Sequence, residues 1–159
     1  MALKKPLVYG LDGHVQQLQA GDVLDIPDND QDTFINGSGG VISKGQVVYQ
    51  TVVAGTVSLA RADAFSTTNG IALVFDTTIG IAASGLFQFE GVITNTDWTS
   101  VTGVPLLVPG SRYYLSHTTN GRLTLIPPTT SQVGNYVQEI GIALTTTKLR
   151  IDIKAPIKM

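Results

Sequence analysis

The chain has 159 residues, of which 43% are hydrophobic and only 14% charged, with a net charge of −2 and no cysteine. Such a balance sets up no long-range field for nucleic acid, and the lack of thiols excludes a disulfide framework and any thiolate metal site. There is no apolar run of about 18 residues to span a membrane, and Pro6, Gly10, Asp12 and His14 interrupt residues 1–20 where a signal peptide would need an apolar core. A chain of this size can bury roughly 68–70% of its unfolded surface, so a core of its own is expected. Charge lies well below the roughly 25% of an average domain. That points to a surface partly turned away from solvent, as in an assembly; a small β domain with a hydroxyl-rich surface is the plainer reading. Lys4 and Lys5 make the start basic, and Lys148, Arg150, Lys154 and Lys158 make the end basic. Asp22, Asp25, Asp28, Asp30 and Asp32 form an acidic run between them, read as solvated charge.

Taken in chain order, residues 1–26 read as an N-terminal arm. Two short apolar pieces, Leu7-Val8-Tyr9 and Val15 to Leu18, flank Gly10-Leu11-Asp12-Gly13 and suggest an extended arm or a small hairpin. Residues 27–40 read as a linker, acidic first and then Asn36-Gly37-Ser38-Gly39-Gly40, with too few apolar groups to offset ordering entropy. Residues 41–159 form the body. Strands are expected at Val47–Val53, Val57–Arg61, Ile71–Phe75, Leu86–Ile93, Val137–Leu144 and Leu149–Ile153, separated by Gly and Asn-Gly turn signals. The best helical candidate, Leu59–Phe65, is short and lacks a stop signal. The expected fold is all-β, a compact β-sandwich or β-barrel with an extended N-terminal arm.

Between Val108 and Ile126 the sequence spells a hairpin. Pro109-Gly110 opens it, Arg112-Tyr113-Tyr114-Leu115 is the first strand, Asn120-Gly121 turns, and Leu123-Thr124-Leu125-Ile126 returns until Pro127-Pro128 stops it. Elsewhere alternation sorts faces: Leu149, Ile151 and Ile153 against Arg150, Asp152 and Lys154, and Phe87 and Phe89 against Gln88 and Glu90. Val47, Tyr49 and Val53 share one face, yet Val48 and Val52 make the other face apolar too. Such a strand is covered on both sides, by a second sheet, the arm or another subunit. Gly-Ile-Ala-Leu occurs at 70–73 and at 141–144, which reads as two strands where glycine permits close packing.

Chemistry-bearing motifs are sparse. There is no Gly-x-Ser-x-Gly elbow, no Walker loop and no dinucleotide fingerprint. His14 and His117 read as loop residues rather than a metal pair. Asp28-Asn29-Asp30-Gln31-Asp32 offers alternating carboxylates to Ca²⁺, but an EF-hand-type loop fails at Thr33 and Gly39, and a solvated acidic segment is the default. Glu90 and Asp76 are the one carboxylate pair weighed for glycoside chemistry, and Glu90 falls on an ordinary surface face. The expectation is of a non-enzyme with no catalytic residues, no metal and no cofactor. Trp98, the only tryptophan, lies in a polar segment. It reads either as an interface anchor or as a plug at the end of the barrel.

Several pieces together carry a resemblance. They are Lys5-Pro6-Leu7-Val8, Gln17 to Leu24, Lys44-Gly45-Gln46-Val47-Val48-Tyr49, Leu59 to Ala64, Gly70-Ile71-Ala72-Leu73, Pro109-Gly110 through Ser116, Asn120 to Thr124, Pro127-Pro128 and Gln138 to Ala143. On these the chain resembles the capsid decoration (cement) proteins of tailed bacteriophages, and is also similar to a β module of tail-fibre and baseplate-associated proteins. The resemblance implies a virion structural protein, assembled in the host cytoplasm and seated on the outer capsid surface between major capsid proteins. It further implies a homotrimer that binds neither nucleic acid nor membrane. Lys4, Lys5, Leu7, Val8, Tyr9 and Trp98 are the expected partner contacts. The alternative is a tail-fibre or baseplate module binding a host-surface glycan through loops 94–103 and 117–120.

Overall fold

The computed structural model describes residues 30–129 and 134–159, and the backbone of two short strands before them. Those two, β1 (Leu7–Tyr9) and β2 (Val15–Gln17), pair antiparallel with Leu7 opposite Gln17 and Tyr9 opposite Val15. Of the two forms expected for the arm, this stretch takes the hairpin. Lys4, Lys5, His14, Asp22, Asp25 and Asp28 lie outside the described residues.

The first half of the body holds β3 (Gln31–Asn36), β4 (Ile42–Ser43), β5 (Val47–Gln50), β6 (Thr56–Leu59), β7 (Ala72–Val74), β8 (Thr78–Ile79) and β9 (Ser84–Gln88). A closed barrel runs β3-β6-β5-β7-β9, with β9 pairing back onto β3. β3 and β6 are parallel, and the other barrel pairs are antiparallel. A short ribbon of β4 and β8 sends Ile42 and Ile79 into the barrel core. The second half holds β10 (Gly91–Thr94), a single helical turn α1 (Thr99–Thr102), β11 (Arg112–Leu115), β12 (Leu123–Thr124), β13 (Tyr136–Val137), β14 (Glu139–Ala143), β15 (Lys148–Ile151) and β16 (Ile157–Lys158). Five of these strands make an antiparallel sheet in the order β10-β15-β14-β11-β12, while β13 pairs with β16.

Two apolar cores result, and one pair of strands separates them. Val48 on β5 and Ala72 and Val74 on β7 point into the barrel beside Phe34, Val57 and Phe87. Val47 on β5 and Leu73 on β7 point outward, against Trp98, Tyr113, Leu115, Ile140 and Leu149 of the second half. The cover over the doubly apolar strand is therefore the second sheet of the same chain. Backbone bonds stitch the halves together: Val47 N–H donates to Gly121 O at 3.0 Å, Gly121 N–H to Ala60 O at 2.7 Å, and Ala62 N–H to Ser116 O at 2.9 Å. The Asn120-Gly121 turn of the hairpin is thereby held against the barrel.

Three local expectations change. Residues 31–36 are a barrel strand and not part of a linker, so the body begins no later than Gln31 rather than at Val41. Composition misleads there because a five-residue ladder to β9 and one well-placed ring suffice. Phe34 packs edge-on to Phe87 and Phe89 at ring separations of 5.9 and 6.0 Å. Buried Asn36 then fastens the following turn, donating to Gly40 O, Ile79 O and Gly80 O while accepting from Ser38. The run Leu86–Ile93 divides, because the chain crosses from barrel to second sheet at Phe89–Glu90. On the barrel side Gln88, expected to face solvent, is fully buried and donates to Glu90 O at 2.8 Å. The helical candidate Leu59–Phe65 is not helical; Leu59 ends β6, and a 3₁₀ turn occupies Phe65–Thr68.

Close packing at the repeated Gly-Ile-Ala-Leu is found at both copies: a β-carbon on Gly141 would stand 2.2 Å from the Arg150 carbonyl oxygen, and one on Gly70 3.0 Å from the Gln50 β-carbon. Gly45 carries a double constraint: its φ is +83°, and a β-carbon would meet the Trp98 ring at 2.8 Å. Gly55 shares the left-handed φ, at +71°, but opens onto free space. Gly45→Ala is therefore expected to destabilise by at least about 2 kcal/mol, lowering the thermal midpoint by roughly 4–8 °C. Gly55→Ala should lose only the backbone part, about 1 kcal/mol. Equal midpoints for the two variants by differential scanning calorimetry would contradict the packing of Trp98 on Gly45.

Candidate functional site

Where the β4–β8 ribbon meets the loop after β10, the surface opens into a polar cleft of about 370 Å³. Ser43, Lys44 and Thr77 form one wall and Thr94, Asn95, Thr96, Asp97 and Ser100 the other. The walls are tied directly. Asn95 Nδ2 donates to Lys44 O at 3.2 Å, and Lys44 N–H donates to Thr77 O at 3.1 Å. Asn95 Oδ1 accepts from Asp97 N–H at 3.3 Å, so a single side chain braces the loop internally and against the barrel.

Asp97 shapes the start of α1. Its Oδ1 accepts from Thr99 Oγ1 at 2.6 Å and from Thr99 N–H at 2.9 Å. These two bonds favour the ionised carboxylate and hold its pKa below the usual aspartate range. Asp97 is thus an anion and a pure acceptor at neutral pH, poorly suited to donate a proton. The Lys44 ammonium lies 5.0 Å from the centre of the Phe75 ring, close enough for a cation–π contact.

Trp98 forms the back of this corner. It is completely buried, with Nε1 donating to Thr147 O at 3.3 Å, and its ring lies between Gly45 and the turn after β14. Of the two readings the sequence allows, the ring takes that of a plug within the core. Its side chain offers nothing to a partner, because a polar stretch of sequence says nothing about a ring folded back beneath it. Leu7, Val8 and Tyr9 are described only as the backbone of β1, and Lys4 and Lys5 not at all.

On the far side of α1 lies a second, apolar depression of about 230 Å³, lined by Thr102, Val104, Val108, Tyr113, Leu123, Thr124, Leu125 and Ile126. Buried Tyr113 is its floor, its hydroxyl accepting from Val108 N–H at 2.9 Å. β12 stops after Thr124 because Thr124 Oγ1 accepts from Ile126 N–H at 3.1 Å and turns the chain before the prolines. Leu125 and Ile126, expected to continue the strand, are left outside the ladder; Ile126 is 73% exposed.

The remaining candidates disperse. His117 is half-buried in the hairpin loop. Asp30 and Asp32 lie at the start of β3, where Asp30 O accepts from Phe89 N–H and Asp32 is exposed, so this part of the acidic run belongs to a ladder rather than a cation loop. Among the described residues no three His, Asp or Glu side chains gather as a metal site would require. Asp76 braces a turn by accepting from Leu86 N–H at 2.8 Å, whereas Glu90 is exposed beyond β9. Arg112, at the start of β11, is exposed and pairs with Glu139 at 2.8 Å. Sequence reasoning missed Ser43, Lys44 and Thr77, and the density of hydroxyls at 94–100 was the only visible trace of the cleft. No protein-family model matches the chain, and no curated protein matches it in sequence.

The single tryptophan makes this corner directly measurable. Trp98 fluorescence in the folded protein is expected to be blue-shifted and resistant to iodide, becoming red-shifted and quenchable on unfolding. Free quenching in the folded state would place the ring at the surface and undo this account of the corner.

Proposed function

We propose that this chain is a virion structural module of a tailed bacteriophage, and specifically a capsid decoration protein that stabilises the head. The reading rests on the family resemblance of its turn-and-strand motifs. The structural observation that supports it is the uncharged depression beside α1, where exposed Val104, Val108, Leu125 and Ile126 gather in one concavity. Contiguous apolar surface of this kind fits burial against another protein. Under this reading the groove receives a neighbouring major capsid protein on the outer shell. Three copies acting as a homotrimer multiply modest individual affinities through avidity.

The arm supplies a second contact. β1 and β2 are three residues each, and an isolated two-stranded hairpin is marginal in water. A strand edge that docks on a capsid subunit or a neighbouring copy gains backbone hydrogen bonds as it does so. Lys4, Lys5, Leu7, Val8 and Tyr9 remain the proposed contacts of this arm. The alternative, a tail module that binds a host-surface glycan, loses Trp98 as an exposed stacking ring but keeps the hydroxyl-lined cleft at 94–100.

Capsids prepared without the protein provide the test. The full chain is expected to restore high-copy occupancy and raise the temperature at which the head opens. Val108→Asp with Ile126→Asp should weaken occupancy at least tenfold, since a desolvated apolar contact is replaced by charge. The monomer's own thermal midpoint should change little, because both side chains are already exposed. Normal occupancy by that double variant would remove the groove from the interface. Deletion of residues 1–26 without loss of occupancy would remove the arm. A copy number of a few dozen per virion, rather than hundreds, would move the module to the tail.

A further inference from the structure

We infer that the polar cleft between the β4–β8 ribbon and the 94–100 loop is a binding site for a neutral saccharide. This inference rests on the cleft alone and holds whether the module sits on head or tail.

Its size comes first: about 370 Å³ falls within the roughly 300–1,000 Å³ range of small-ligand sites. Its lining is then rich in hydroxyl-bearing residues. Ser43, Thr77, Thr94, Thr96 and Ser100 are five of the eight that line it. Some hydroxyls of this chain are used up on their own backbone: Thr51, Thr67, Thr68, Thr102 and Thr124 each donate to a nearby carbonyl. The five in the cleft make no side-chain hydrogen bond to any described residue, and Thr77, Thr94, Thr96 and Ser100 are exposed, so their donor and acceptor capacity is open to solvent or a ligand. A hydroxyl that can both give and accept is the natural complement of another hydroxyl, and a sugar ring carries several in fixed directions.

Charge narrows the ligand class. Lys44 and Asp97 contribute one cation and one anion, so the lining is neutral as a whole. An anionic ligand would meet the Asp97 carboxylate, which the Thr99 bonds keep ionised. A divalent cation would look for several carboxylates among its six to eight oxygens and find one. A neutral polyol meets neither objection, and a carboxylate accepting from a pair of sugar hydroxyls adds a charge-assisted bond.

Preorganisation completes the case. Asn95 clamps the loop to Lys44 O, Lys44 N–H is fixed to Thr77 O, and completely buried Trp98 backs the wall from within. Ligand binding therefore has little loop ordering to offset. Sites built from a few hydroxyls give single-site dissociation constants on the order of millimolar, about −4 kcal/mol, which copies on one particle would raise in effect.

The test is a ¹H–¹⁵N NMR titration of the full chain with neutral hexose and N-acetylhexosamine disaccharides. Shifts should concentrate at Ser43, Lys44, Thr77, residues 94–97 and Ser100. Asp97→Asn keeps an oxygen to accept from Thr99 but lacks the charge, and should weaken binding about tenfold. Thr94→Val with Thr96→Val removes two hydroxyls from exposed positions and should weaken it severalfold more, with an unchanged amide spectrum elsewhere. Three results would overturn the proposal: no saccharide in the panel shifting these residues, both variants binding as well as the parent, or inorganic phosphate or Ca²⁺ occupying the cleft more tightly than any saccharide. Saccharide binding by a chain that fails to decorate capsids would leave this inference standing and sink the assembly reading, and the converse holds equally.

Discussion

Everything in this molecule depends on two strands that are apolar on both faces. β5 and β7 put Val48, Ala72 and Val74 into the barrel and Val47 and Leu73 out of it. A strand of that kind is stable only when water is removed from both sides. The inner side is satisfied by closing the barrel, which requires β3 to bridge β6 and β9. The outer side is satisfied by seating the second sheet, led by Tyr113, Leu115, Ile140 and Leu149. Neither half is a free-standing unit in this arrangement, because each exposes an apolar face without the other. Backbone bonds from Val47 and Ala62 to the hairpin then fix the relative position of the two halves.

The seam between the halves is where chemistry becomes available. Two curved surfaces packed through their centres leave gaps at their margins, and here one margin is filled by Trp98 against Gly45 while the surface above it stays open as the cleft. α1 stands between the two concave features of the surface. Ser100 faces the polar cleft and Thr102 the apolar groove. The helix is one turn long and held at both ends, by Asp97 on Thr99 and by the left-handed Gly103 N–H on Thr99 O. A short rigid partition thus divides a surface suited to hydroxyl-bearing ligands from one suited to protein. The two readings of function use different sides of it and do not compete for the same residues.

Much of the fold was legible in the residue pattern. Period-two alternation placed Leu149 and Ile151 inside and Arg150 outside, and the turn dipeptides marked the 112–124 hairpin. The doubly apolar run at Val47 announced a layer on each side. These features are local, and local backbone geometry follows directly from where side chains must point. By contrast, Gln31–Asn36 reads as a linker because its partners, Gly85 to Gln88 and Thr56 to Val57, lie elsewhere in the chain. Its ladder and its ring contacts are properties of the closed barrel, invisible to composition. The same is true of the breaks at Phe89–Glu90 and Gln138, where an apparently continuous strand passes from one sheet to another.

The candidate sites divide along the same line. Residue types established the all-β class, the absence of thiol chemistry, the scarcity of charge and the richness in hydroxyls, since these are properties of the residues themselves. Whether Trp98 faced a partner or the core was open in the sequence, and packing put it in the core, because an indole buried against Gly45 with its N–H on Thr147 O loses no hydrogen bond and removes a large apolar surface from water. The cleft draws its two walls from segments about fifty residues apart, Lys44 and Asn95. Proximity of that kind is created only when the second sheet docks on the barrel, so no reading of spacing along the chain brings those hydroxyls together.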